Sequence, residues 1–311
     1  MDFIGMYKNG NYAVLMGKDG TKIRVSSGTE KFKPLFPESI DLKICNRCNF
    51  GCKMCHENST PDGALADLDA PVLDTLHPYT ELAIGGGNPL EHPGLPSFLA
   101  RMKEKKIICN MTVRDVHLVQ NYGCIANWLD DGLIHGLGVS VSNHRNIDTS
   151  LLSSMGELYG LLNNDLPNVV YHVIAGYTPP EFVRSIAGHG ENVRLLILGY
   201  KKFGRGAQYE IEAGEQIDQC ISQYRTLLPE IASMCQSISF DNLAVKQLCI
   251  RDYVADEKKW DTLYMGDDGE FTMYMDLVKN EYAVSSVSER MKIPDGATID
   301  RLFASIRASR T

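Results

Sequence analysis

From residue 39 onward, short apolar runs alternate with stretches whose apolar residues recur every three or four positions. Residues 41–44, 81–85, 107–112, 136–141, 169–174 and 193–198 read as strands. Segments 68–77, 95–105, 115–130, 147–163 and 181–189 lie between them with helical period. Apolar strands that alternate with helices predict an α/β fold, a parallel sheet with helices packed along it. Residues 1–38 read differently. Asn9-Gly10 and Asp19-Gly20 are hairpin turn dipeptides, and the runs 12–16 and 21–25 flank the second. This β-hairpin extension is expected on the outside or bottom of the sheet.

Around Ala213 the alternation gives way. A helix is expected over 216–228 and a strand over 237–240. Asp267-Asp268-Gly269-Glu270, between 262–266 and 271–277, reads as a further hairpin. The expected organisation is therefore an extension over 1–38, a main unit over 39–213 and an α+β cap over 214–311.

Composition narrows the function classes. With 311 residues, 44% hydrophobic and 23% charged, the chain is long enough for one large domain with appendages. A net charge of −8 and a pI of about 5.5 argue against bulk attraction to nucleic acid or an anionic membrane. No apolar run approaches membrane-spanning length, and the start, MDFIGMYKNG, lacks the basic and apolar regions of a secretion signal. Nine cysteines, an odd number, fit a reducing compartment, so a cytoplasmic location is expected.

Four of those cysteines fall in one stretch, Cys45-Asn-Arg-Cys48-Asn-Phe-Gly-Cys52-Lys-Met-Cys55-His56. Thiols so dense in a reducing compartment point to metal ligation rather than disulfides. A zinc site would want two C-x2-C pairs with a long spacer, whereas three residues separate Cys48 from Cys52. An iron–sulfur cluster tolerates ligands on one loop, because the cluster spans the distance between them. A zinc or four-cysteine ferredoxin-type site, and plain packed thiols, remain as alternatives.

The C-x3-C-x2-C spacing of Cys48, Cys52 and Cys55 resembles the signature of the radical S-adenosylmethionine (SAM) superfamily. The resemblance implies a [4Fe-4S] cluster on these three thiols, with SAM chelating the fourth iron and Cys45 outside the ligand set. It implies a partial (β/α)6 TIM-like barrel, with the site at the C-terminal strand ends. Met54 stands where the family usually has an aromatic residue. Gly85-Gly86-Gly87-Asn88-Pro89 resembles the family's Gly-Gly-Glu-Pro loop, so Gly86, Gly87 and Asn88 are expected at the SAM amino group. Asn88 replaces the usual acid there, and Glu91 could supply the charge. Ser140 and Ser142 are expected near the SAM carboxylate and ribose, with Arg114 a further carboxylate or substrate contact. Ile174, with Gly176, and the segment Leu198-Gly199-Tyr200 are expected around adenine. His172 reads as an interior histidine, and Lys201, Lys202 and Arg205 as a basic rim.

The chain past Ala213 resembles the SPASM or twitch caps of that superfamily. Met273 and Met275 stand where a ligand cysteine would be, and Cys220, Cys235 and Cys249 are too scattered for a second cluster. Asp252, Tyr253, Tyr264 and Tyr274 are candidate pocket linings. The resemblance implies reductive cleavage of SAM to a 5′-deoxyadenosyl radical that abstracts a substrate hydrogen, with flavodoxin or ferredoxin as electron donor. A peptide or protein is the favoured substrate, a small molecule or nucleotide the alternative. A non-catalytic iron–sulfur or zinc protein is the reading from another class.

Overall fold

The computed structural model describes residues 2–141, 168–188 and 192–309. The expected helix over 147–163, and Ser142, lie outside the described residues. Six strands run where the apolar runs stood: β4 Ser39–Cys45, β5 Glu81–Gly86, β6 Ile108–Arg114, β7 Gly136–Ser140, β8 Val169–Ile174 and β9 Arg194–Leu198. Each pairs in parallel with the next. Helices α1 Leu95–Glu104, α2 Asp115–Asp130 and α3 Pro180–Ala187 fall between them. Segment 68–77 forms a 3-10 turn over Pro71–Thr75 instead of an α-helix. Pro71 and Pro78 bracket it, and the residue before a proline is driven toward extended backbone.

The chain beyond Ala213 rejoins this sheet. Helix α4, Arg205–Met234, runs across 213–214 and kinks at Ala213, where φ is −136° and ψ 25°. Strand β10, Ser237–Phe240, pairs in parallel with β9, and β11, Thr272–Asp276, pairs in parallel with β4. Strands β12, Glu281–Ala283, and β13, Met291–Lys292, continue the β11 edge antiparallel. The result is a ten-stranded, mostly parallel sheet whose outer strands β10 and β13 do not pair, so it is open rather than a closed barrel. Helices α5 Asn242–Gln247, α6 Glu257–Leu263 and α7 Ile299–Ala308 complete seven α-helices among the described residues.

The hairpin expected about Asp267–Glu270 does not form. Residues 257–263 are helix α6, N-capped by the Asp256 side chain, and the hairpin comes one strand later, between β11 and β12. Pairing with β4, from Thr272↔Ser39 to Asp276↔Lys43, draws β11 into the main sheet.

Strand residues alternate between two faces. One face sends Ile40, Leu42, Ile84, Met111, Val139 and Ile197 into a core with Phe98, Leu118, Ile186 and Ile231 of the helices. Each such side chain contributes about 1.5–3 kcal/mol by leaving water. The other face carries Asp41, Ala83, Asn110, Thr112, Gly138 and His172, and no helix core covers it among the described residues.

Strands β1 Phe3–Asn9, β2 Tyr12–Gly17 and β3 Lys22–Val25 form the expected antiparallel extension. Tyr12, Val14 and Met16 pack on Ile108 and Phe271, at the starts of β6 and β11, so the extension closes the N-terminal end of the sheet. Arg24 grips the buried Glu38 through Nε at 2.8 Å and Nη2 at 3.0 Å, and Tyr12 donates to the same carboxylate at 2.6 Å. Arg24→Leu would leave Glu38 buried without its cation. Urea unfolding is expected to show a loss of about 3 kcal/mol, and a loss below about 1 kcal/mol would contradict this account.

Candidate active site

Strand β4 ends at Cys45, whose fully buried thiol accepts from the Arg47 amide at 3.2 Å. This turns the chain into a loop that doubles back on itself, with Asn46 N–H donating to Ala64 O and Cys48 N–H to Thr60 O, both at 2.8 Å. Cys48, Cys52 and Cys55 sit half-buried along it, while Cys45 lies in the core. Burial pushes the Cys48 and Cys52 thiols up, and at Cys52 the Arg114 guanidinium opposes it.

Two glycine segments hold the loop. Gly87 N–H donates to Cys45 O at 2.6 Å and Asn88 N–H to Arg47 O at 2.7 Å. A Cβ at Gly86, where φ is +108°, would lie 2.3 Å from Cys45 O, and one at Gly87 would lie 2.3 Å from Arg47 O. Backbone contact this close is open to glycine alone. From the other side, Gly204 faces His56 O, where a Cβ would stand at 2.5 Å. Arg205 N–H donates to Cys55 O at 3.1 Å, its Nε to Cys52 O at 3.0 Å and its Nη1 to Ser59 O at 2.7 Å.

Arg205 is thus a strut of the cysteine loop rather than part of a free basic rim. Lys202 pairs with Glu210, and Lys201 donates to Ser286 Oγ at 2.8 Å. Arg114 reaches the loop as well: its Nη1 donates to Cys52 Sγ at 3.2 Å while the guanidinium lies 3.8 Å over the Phe50 ring.

A pocket opens beside the loop, lined by Met54, His56, Ile174, Leu198, Gly199, Tyr200 and Lys201. It gathers the strand ends of β8 and β9 with the residue before the third cysteine. The Tyr200 backbone is fixed by Gln247, which accepts from its N–H at 2.8 Å and donates to its carbonyl at 3.0 Å. Gly199 N–H donates to Asp241 at 2.9 Å. Asn88 is nearly buried; its Oδ1 accepts from Leu90 N–H at 3.3 Å, and its Nδ2 donates to Glu91 at 3.2 Å. Burial raises the pKa values of Cys45 and Cys48, and the charge of Glu91, tied down in this way, adds to the shift. Ser140 is half-buried at the end of β7, paired in register with Arg114 and His172.

Among the expected pocket linings, Tyr274 reaches the loop, donating to Glu57 at 3.0 Å. Tyr264 stacks on Trp260 at 5.0 Å, Tyr253 donates to Arg225 O, and Asp252 is exposed. Cys220 lies by Thr178 and Cys249 by Lys246, apart from each other. Among the described residues no three His, Cys, Asp or Glu side chains converge on one metal position.

A charged network beneath the loop escaped the sequence reading. Lys43 Nζ lies 2.7 Å from Glu57 and 3.2 Å from Asp276, with all three side chains buried. His56 Nε2 stands 3.3 Å from the same Glu57, and Arg290 stacks 3.9 Å over Tyr274. The signal was present in β4 itself, where Asp41 and Lys43 interrupt an apolar strand.

No protein-family profile matches the chain, and no curated protein does. Among solved structures it is similar to SuiB of Streptococcus suis, with a TM-score of 0.56 and 11% identity over 97% of this chain and 87% of that one. At that identity the likeness is one of fold alone. A triple mutant of Plasmodium falciparum HPPK-DHPS with pteroate has a TM-score of 0.32 at 11% identity, over 82% of this chain and 54% of that one, which carries no argument. No helix among the described residues is long and apolar enough to cross a membrane.

Proposed function

We propose that this chain is a radical SAM enzyme, with β4–β9 curled as a partial (β/α)6 barrel. The observation that carries the reading is the placement of Cys48, Cys52 and Cys55 on one loop after β4, beside the pocket of Met54, Ile174 and Leu198. The donor set fits a [4Fe-4S] cluster: three half-buried thiols, with Arg114 donating to one sulfur. When bound, cluster and SAM would supply one-electron cleavage of the sulfonium and a radical able to take a substrate hydrogen.

The chain's own residues bind, orient and exclude water. Gly86, Gly87 and Arg205 fix the loop through its carbonyls, so the thiols keep one arrangement. Met54, Ile174 and Leu198 offer apolar walls to an adenine ring. Glu91, held by Asn88, would supply a carboxylate for the amino end of SAM, a charge that the neutral Asn88 lacks. Arg114 holds a donor and a positive charge on the Cys52 sulfur, which would favour the reduced form of a cluster bound there. Flavodoxin or ferredoxin is the proposed electron source, in a cytoplasmic setting, and a peptide or small molecule the substrate.

Anaerobic reconstitution with iron and sulfide, then SAM and dithionite, tests this. Formation of 5′-deoxyadenosine is the expected result. An iron–sulfur spectrum without that product would leave a non-catalytic cluster protein, and bound zinc without acid-labile sulfide would remove the whole reading.

A further inference from the structure

Among the described residues no helix core covers the second face of the sheet, a hollow that carries polar side chains. Asp41 on β4, Asn110 and Thr112 on β6, and His172 on β8 all point to it, since each alternates with a residue of the helix-packed core. None of the four has a hydrogen-bonded side-chain partner among the described residues. Polar groups on a protein wall are ordinarily paired with protein or water, so four from three strands with no partner among the described residues suit a polar ligand.

There is also room. A Cβ built on Gly85 meets nothing within 4 Å, while one on Gly138 would stand 2.4 Å from the His172 ring and 2.9 Å from Thr112 Oγ1. His172 and Thr112 therefore lean over Gly138 together, and the space above Gly85 stays open. Burial pushes His172 down to about 4, so its imidazole is neutral at pH 7 and can accept or donate.

The charge around Asp41 is mostly negative, three further carboxylates against Lys201. Asp41 keeps solvent access, yet surrounding protein pushes its carboxyl pKa up, opposed by Lys201 and reinforced by Asp268, Asp241 and Glu57. Lys43 is matched by Glu57 and Asp276, whereas Lys201 bonds the neutral Ser286 hydroxyl and keeps its charge, and Arg114 donates to Cys52. Asp241 and Asp268 accept hydrogen bonds from Gly199 and Asn242. Asp41 is left as a carboxylate with acceptor capacity and no donor among the described residues.

We infer that the hollow binds an organic cation, an alkylammonium or guanidinium group, with Asp41 as its counter-ion and Asn110, Thr112 and His172 as neutral hydrogen-bonding partners. This rests on the proposed activity and names the class of its substrate. A phosphate- or carboxylate-bearing group would meet Asp41 with Asp241, Asp268 and Glu57 nearby, carboxylates that outnumber Lys201. The same cation could arrive on a lysine or arginine side chain of a peptide, or on a free amine.

Binding to the reconstituted, SAM-loaded protein, measured anaerobically by calorimetry, separates these. The probes are Nα-acetyl-lysine N-methylamide for the peptide source and agmatine for the free one. The uncharged Nα-acetyl-norleucine N-methylamide and butyrate are the controls. One or both cations should bind at least about tenfold more tightly than either control, and the tighter one identifies the source. Asp41→Asn should weaken the cation about tenfold to a hundredfold. Gly85→Val, at a strand position with open space and no positive φ, should fold with an unchanged melting temperature and still block binding. Cations that bind no better than norleucine, or unchanged affinity in both folded variants, would overturn the inference. 5′-Deoxyadenosine is measured in the wild-type samples. Its formation without cation preference would sink this inference alone, and cation preference without it would sink the proposed activity alone.

Discussion

Cys48→Ala, Cys52→Ala and Cys55→Ala proteins are each expected to lose the brown chromophore after anaerobic reconstitution, and 5′-deoxyadenosine formation should fall to background. The three thiols share one loop, and that loop has no spare ligand within it: His56 is held against Glu57 at 3.3 Å, and Cys45 faces the core. Cys45→Ala is the internal control. Its sulfur takes part in the turn through the Arg47 amide at 3.2 Å and sits at 0% exposure. Its loss should therefore cost about 1–2 kcal/mol of stability while leaving iron content near four atoms per chain. Iron and sulfide assays with ultraviolet–visible spectra decide the matter. A Cys45→Ala protein without iron, beside a Cys48→Ala protein that keeps it, would show the ligand set to be wrong.

The legible part of the sequence was the part governed by local pattern. Strands β4 to β9 follow apolar runs, and α2 and β10 begin and end where periodicity placed them. The pocket residues Met54, Ile174 and Leu198–Tyr200 also converge, because the ends of parallel strands must lie at one edge of the sheet. What local pattern could not carry was pairing at long range. Whether residues 272–276 form a separate hairpin or join β4 depends on a partner more than two hundred positions earlier. Side-chain partners were equally out of reach. Arg205 read as a surface cation, and nothing near it in sequence shows that its partners are the carbonyls of Cys52, Cys55 and Ser59. Asn88 read as a free acceptor, but its carboxamide closes a turn with Leu90 and Glu91.

Lys43→Met should be among the most destabilising substitutions in the chain. Lys43 Nζ is shared between Glu57 at 2.7 Å and Asp276 at 3.2 Å, with exposures of 4%, 9% and 3% for the three side chains. Removing the cation leaves two carboxylates facing each other out of water, and breaking such a pair from one side costs about 3–5 kcal/mol. Lys43→Met with Glu57→Gln should recover part of that loss, since one of the stranded charges goes with it. The pH dependence follows from the two shifts. Burial alone would lower the Lys43 pKa, but Glu57 and Asp276 outweigh it and the pKa is raised. Its contribution is therefore full below the ordinary lysine value of about 10.5 and lost as pH climbs through the folded value. Burial alone would raise Glu57, but the hydrogen bonds and charges of His56 and Lys43 outweigh it and hold its pKa well below the usual carboxylate range. Its contribution is present above about 4.3 and lost as pH falls toward the folded value. Urea unfolding of wild type and Lys43→Met should therefore differ most between those limits and converge in acid. Because Glu57 follows Cys55 by two residues and also takes the Tyr274 hydroxyl, the variant should lose iron faster than wild type under chelator challenge. A stability difference below about 1 kcal/mol at pH 7, with iron retention unchanged, would mean that the network does not hold the cysteine loop.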